Sequence, residues 1–167
     1  MTFEIDISVR QKAVSVDIAE LKRAVKNALR MEQVASAVLS VSIVDNEAIH
    51  RINREHLQHD YPTDVISFQL DFSRTDARAV PDDAASELRA SGAMIEGEVI
   101  ASAQMASEMA TTGQWTAMNE LTLYIIHGLL HICGYDDLTS AEKAIMRSRE
   151  RAILNSLSLT PVYPDDE

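Results

Sequence analysis

The chain has 167 residues, 46% apolar and 25% charged, which fits one soluble globular domain around one core and excludes wholesale disorder. A formal net charge of −11 excludes a protein that grips nucleic acid with its whole surface, because phosphates are contacted by Lys and Arg. A local basic groove or a bound cation can still supply positive charge.

Phe3, Ile5, Ile7 and Val9 alternate with polar residues, so 3–9 is expected as a half-buried strand. Asp17, followed three residues later by Glu20, marks a helix start, with Leu21, Val25, Ala28 and Leu29 on one face. Residues 37–44 read as a second strand. Asp45 caps a helix running to about Leu57, with Ile49, Ile52 and His56 on its inner face. A third strand is expected over 64–70, entered through Tyr61-Pro62-Thr63. Residues 73–93 hold Asp76, Pro81, Asp82, Asp83 and Gly92 with weak periodicity, and are expected as a mobile or partly helical insertion. A fourth strand follows over 94–101, then a helix over 102–112 ending at Gly113. Residues 116–133 are apolar on nearly all sides, the mark of a central buried helix, with Gly134 suited to its C-terminal cap. Thr139-Ser-Ala-Glu142 is a capping-box pattern opening a last helix to about Leu157. The acidic tail, 160–167, is expected to fray.

Strands alternate with helices, so the class is α/β or α+β in a single domain over residues 1–159. The single cysteine, Cys133, cannot form an internal disulfide and fits a reducing compartment. The start, Met1-Thr-Phe-Glu-Ile-Asp-Ile, has no signal-peptide pattern, and no apolar run reaches the roughly 20 residues of a membrane span. A cytoplasmic protein without membrane attachment is expected.

The chemistry is expected at His127 and His131. Four residues apart on a helix, they share one face and can bind a common cation. Gly134 lets the chain turn back, and Asp136 or Asp137 can return a carboxylate as a third ligand. Three protein ligands plus water is the catalytic arrangement, and such a metal makes hydroxide available near neutral pH. The bland alternative is a pair of core histidines. Gly128 stands where the zincin pattern has glutamate, so no general base lies between the histidines, which weakens a peptidase reading. Gly128 costs roughly 0.8–1.0 kcal/mol against Ala inside a helix. Either close helix packing or room beside the metal accounts for it. Cys133 is expected as a buried inert thiol rather than a fourth ligand.

The segment His127-Gly-Leu-Leu-His131-Ile-Cys-Gly134-Tyr135-Asp136-Asp137 resembles the signature of the YbeY endoribonuclease family. Ile52-Asn53, Asp60-Tyr-Pro62-Thr63-Asp64-Val65-Ile66-Ser67-Phe68, Gly97-Glu98-Val99-Ile100 and Met146…Glu150 resemble further family stretches in order and spacing. The resemblance implies a small mixed sheet of about four strands ringed by helices. It also implies one zinc ion and cleavage of single-stranded RNA in 16S rRNA 3′-end maturation and ribosome quality control. Implied partners are rRNA and the ribosomal small subunit or its assembly proteins. It selects Asp137 as the third ligand, where the family usually has histidine. The family's functional arginine, five residues before the proline, is replaced by Leu57.

The expected mechanism has His127, His131 and Asp137 holding Zn²⁺, with Arg51 or Arg54 neutralising charge at phosphorus. Ser67 and Asp64, with Thr63, are expected to shape the substrate groove, although Thr63 fits ordinary turn chemistry as well. Tyr135, Phe68 and Trp115 are candidates for base stacking or for the core, and only Tyr135 adjoins the metal segment. The rivals are a metallopeptidase and a ribosome-assembly binding factor with a structural metal, the latter suited to an acidic surface.

Overall fold

The computed structural model describes residues 1–74 and 88–163. Four strands, β1 (Thr2–Val9), β2 (Ser36–Val44), β3 (Val65–Ser73) and β4 (Met94–Ser102), form one sheet in the order β1-β2-β4-β3. β1, β2 and β4 run parallel, and β3 pairs antiparallel with β4 at the edge. Five helices accompany them among the described residues: α1 (Ile18–Met31), α2 (Asn46–Leu57), α3 (Ala103–Gly113), α4 (Ala117–Ile132) and α5 (Ser140–Ser156). The mixed α/β class and the four-stranded sheet match the sequence reading. No helix among the described residues is long and apolar enough to cross a membrane.

The helix starts follow from local hydrogen bonding. The side chains of Asp17, Asp45, Ser102, Thr116 and Thr139 each accept from a backbone N–H in the first turn that follows. Strand pleating then decides which layer each residue joins. Ala37, Leu39, Val41 and Ile43 of β2 and Ile95, Val99 and Ala101 of β4 face α1 and α4 in the main core. Within that core, Leu121, Ile125, Ile126, Leu129, Leu130 and Ile132 of α4 are at most 1% exposed. Burying each such side chain stabilises the fold by about 1.5–3 kcal/mol. Among the described residues, the opposite sheet face carries a small cluster, Val44, Ile49, Ile66 and Ile100, beneath α2. Beyond it Glu4, Asp6, Val38 and Glu96 are open to solvent, so part of the acidic charge lies across the sheet from α4.

Several local expectations change. On α2 the buried residues are Ile49 and Asn53, while His56 is exposed, because Asn53 turns inward to donate to the Tyr61 carbonyl. β3 runs on to Ser73 through a bulge between Gln69 and Asp71, leaving Leu70 as the extra residue. The left-handed residue after α3 is Gln114, not Gly113. Most of the insertion expected over 73–93 lies outside the described residues. Of its described flanks, Ser73 ends β3, and Ala90 and Ala93 are buried. The tail does not fray from Thr160, since Pro161 and Tyr163 are buried against the domain; 164–167 lie outside the described residues.

Candidate metal centre

His127 and His131 lie on the last turns of α4, on the face turned away from the core. Cys133 caps the helix, and Gly134, at φ 98°, reverses the chain as only glycine does without strain. Asp136 accepts a hydrogen bond from the Asp137 backbone N–H, while the Asp137 carboxylate swings toward the histidines. The structure thus separates the two aspartates. Arg89 steadies this turn by donating to the Gly134 carbonyl, pairing with Glu142 at 2.8 Å and lying over the Tyr135 ring.

The three ligand atoms form a small triangle. His127 Nε2 and His131 Nε2 are 3.1 Å apart, and Asp137 Oδ2 is 3.4 Å and 3.7 Å from them. Donors about 2.0–2.2 Å from a tetrahedral zinc stand roughly 3.3–3.6 Å from one another. The opposite ring nitrogens are already committed. His131 Nδ1 meets the Tyr135 carbonyl, which can only accept, at 3.1 Å, and His127 Nδ1 meets Glu150 Oε1 at 2.5 Å. Both Nε2 lone pairs therefore point at each other and at a carboxylate. Between neutral rings that convergence is repulsive; a proton on His127 or a metal cation makes it favourable. The donor set fits a metal, and the carboxylate and carbonyl behind the imidazoles are the outer partners that metal-binding histidines characteristically have.

Burial opposes a charged His127, but the Glu150 hydrogen bond and charge, helped by Asp137 and Asp64, raise its pKa above the ordinary value. Glu150 is only 2% exposed, and its second oxygen accepts from the Tyr163 hydroxyl at 2.5 Å. Burial and the Glu150 charge raise the Tyr163 pKa, so its hydroxyl keeps the proton that it donates.

Two clefts meet at this triangle. One, of about 470 Å³, runs beside β3 and is lined by Leu57, Asp64, Ser67 and Gln69 with the three ligands. The other, of about 520 Å³, runs between α3, α4 and α5 and is lined by residues including Asp64, Glu120, Tyr124, Lys143 and Arg147. Glu120 is held in the second by the Trp115 indole N–H. Burial raises its pKa, the hydrogen bonds from Trp115 and Tyr124 oppose the rise, and the Asp64 charge adds to it.

Of the residues singled out from sequence, His127, His131 and Asp137 converge, and Ser67, Asp64 and Thr63 line the clefts. Arg51 and Arg54 line neither. They lie on the exposed side of α2, near Glu47 and Asp60 at 3.9 Å. Tyr135 is 2% exposed and donates to buried Glu32 at 2.6 Å, so its ring is no stacking platform. It serves the site through its backbone carbonyl. Trp115 is held by Glu120, and Phe68 packs with the small cluster beneath α2. Gly128 packs against the sheet, where an added Cβ would lie 2.9 Å from Val99 and 3.1 Å from Val65. Cys133 is fully buried and burial raises its pKa, as an inert thiol requires.

Sequence reasoning missed Glu150, Tyr163 and the Glu32–Arg149 pair. A signal existed for Glu150: it interrupts the buried stripe Met146, Ile153 and Leu154 of α5 with a carboxylate. Arg149 holds Glu32 at 2.6 Å and so ties α5 to the end of α1 behind Tyr135.

A family model described as Endoribonuclease YbeY matches residues 6–158. Endoribonuclease YbeY of Rhodopirellula baltica is 34% identical over 166 residues, covering 98% of this chain and 76% of its own. That of Bacillus licheniformis is 36% identical over 165 residues, covering 96% and 98%. The solution structure of a Thermotoga maritima protein covers 98% of this chain and 99% of its own with a TM-score of 0.54. At 18% identity that likeness concerns the fold.

Proposed function

The chain belongs to the YbeY endoribonuclease family, and from that premise we propose that it is a metal-dependent endoribonuclease cutting single-stranded RNA in rRNA processing. The proposal extends to 16S rRNA 3′-end maturation and ribosome quality control in the cytoplasm, with the small subunit or its assembly proteins as partners. The proposed cofactor is one zinc ion on His127, His131 and Asp137. The observation that carries this reading is the convergence of two Nε2 lone pairs and one carboxylate, 3.1–3.7 Å apart, where two clefts meet.

A divalent cation there supplies Lewis acidity and positive charge beside a phosphodiester, and three protein ligands leave a position open. The chain's own groups prepare that position. Glu150 and the Tyr135 carbonyl fix each imidazole so that Nε2 faces the cleft. Asp64, lining both clefts, is held by the Val65 N–H and the Thr63 hydroxyl, which sets its carboxylate at the junction. Ser67 offers a hydroxyl along the β3 side. The peptidase rival is disfavoured by the motif, because Gly128 stands where the zincin pattern has its general-base glutamate.

The test is direct. Purified protein is expected to take up one zinc per chain and to cut single-stranded RNA but not unfolded protein. His127→Ala and His131→Ala should lose both metal and cleavage while remaining folded. Cleavage of protein alone, or rRNA maturation in cells undiminished by His127→Ala, defeats the nuclease reading; the second outcome supports the structural-metal binding factor.

A further inference from the structure

We propose that α5 carries the phosphate grip of this site: Lys143 and Arg147 hold the RNA backbone where it leaves the metal ligands on the side away from β3. The inference rests on the RNA-cleaving reading and adds the residues that make an acidic protein compatible with that substrate.

The need is electrostatic. Asp64, Glu120, Asp137 and Glu150 all line the cleft between α3, α4 and α5, so a polyanion meets four carboxylates there. One divalent cation does not offset them all. The arginines expected to help, Arg51 and Arg54, stand outside both clefts, and Leu57 presents an apolar side chain to the β3 cleft. Among the described residues lining the two clefts, the Lys and Arg side chains are Lys143 and Arg147.

Their placement suits a backbone. Lys143, Met146, Arg147 and Glu150 follow one another at helical spacing and all face the cleft. Glu150, at the end of that stripe, bonds His127. The helix therefore sets the register of the cations against the metal ligands. At 1.5 Å per residue, Arg147 lies about 4.5 Å and Lys143 about 10.5 Å along the axis from Glu150. Arg147 is also pre-positioned: its guanidinium lies 4.3 Å from the centre of the Tyr163 ring, whose hydroxyl bonds Glu150. A guanidinium is a planar fork of N–H donors, a shape that matches phosphate oxygens. A strand would pass Ser67 on β3, cross the histidines, and run along α5.

The experiment measures binding of a short 2′-O-methyl RNA oligomer, its integrity checked on a gel, to zinc-loaded protein over a range of salt. Each phosphate contact on a single strand contributes about 0.7 to the slope of log affinity against log salt. The Lys143→Gln/Arg147→Gln protein should lose about 1.4 from that slope, and Lys143→Gln alone about 0.7, with each variant folded and still zinc-loaded at the assay temperature. Arg147→Lys should keep the wild-type slope. A matched charge loss on exposed residues of α1, Lys22→Gln/Arg23→Gln, should leave it untouched. Wild-type binding with no slope change in the α5 variants, or an equal change in the α1 control, overturns the grip alone. Wild-type protein that binds no oligomer overturns the grip together with the RNA reading.

Discussion

Glu150 Oε1 stands 2.5 Å from His127 Nδ1, although the two residues are 23 positions apart. This contact fixes which nitrogen of His127 faces Asp137 and links α5 to the end of α4. Such outer partners typically contribute 10–100-fold in metal affinity. Glu150→Gln keeps the shape but removes the charge, and should weaken zinc binding by at least about 10-fold in a competition with a chromogenic chelator. Unchanged affinity in a folded variant would mean that the contact does not orient the ligand.

The same contact makes metal uptake depend on pH. Burial disfavours the charged imidazole of His127, yet Glu150, Asp137 and Asp64 outweigh it and raise the pKa above 6.5. A raised folded value means that the zinc-free protein gains stability from this group below pH 6.5 and loses it as pH rises through the higher value. Zinc must displace that proton. Apparent zinc affinity should therefore fall as pH drops from 8 to 6, with proton release visible in calorimetry as a dependence on buffer ionisation enthalpy. A flat affinity over that range contradicts the assignment.

Tyr135 gives a way to separate support from substrate contact. Its hydroxyl donates to Glu32, which Arg149 also holds, while its carbonyl receives His131. Hydrogen bonds to charged groups contribute about 1.5–3 kcal/mol. Tyr135→Phe should lower unfolding stability by roughly that amount in urea, measured as a shift in midpoint. Zinc affinity and the KM for RNA should stay at wild-type values, because the backbone carbonyl remains. A large rise in KM with stability intact would return the ring to the substrate site.

Gly128→Ala tests the packing of α4 on the sheet. The new methyl would lie 2.9 Å from Val99 Cγ1 and 3.1 Å from Val65 Cγ2, both on stiff β-branched side chains. Overpacking costs typically about 1–3 kcal/mol, against which Ala gains roughly 0.8–1.0 kcal/mol of helix propensity. A net loss of up to about 2 kcal/mol is expected by denaturant unfolding. A variant more stable than wild type would show that α4 and β4 separate more easily than their packing implies.

The local pattern of residues was enough to read the helix caps, the strands and the histidine pair, because each depends on neighbours within about one turn or one pleat. Asp17, Asp45 and Thr139 cap the helices where they were expected to. His127 and His131 share a face because i and i+4 always do on a helix. Tertiary packing decided the rest. It turned Asp137 toward the histidines, brought Glu150 and Tyr163 behind His127, buried Tyr135 against Glu32 and left Arg51 and Arg54 on the outside of α2. Those outcomes depend on how α5 lies against α4 and α1. Helix docking is set by the sum of many apolar contacts, and no single stretch of sequence encodes which distant side chains that sum brings within hydrogen-bonding distance.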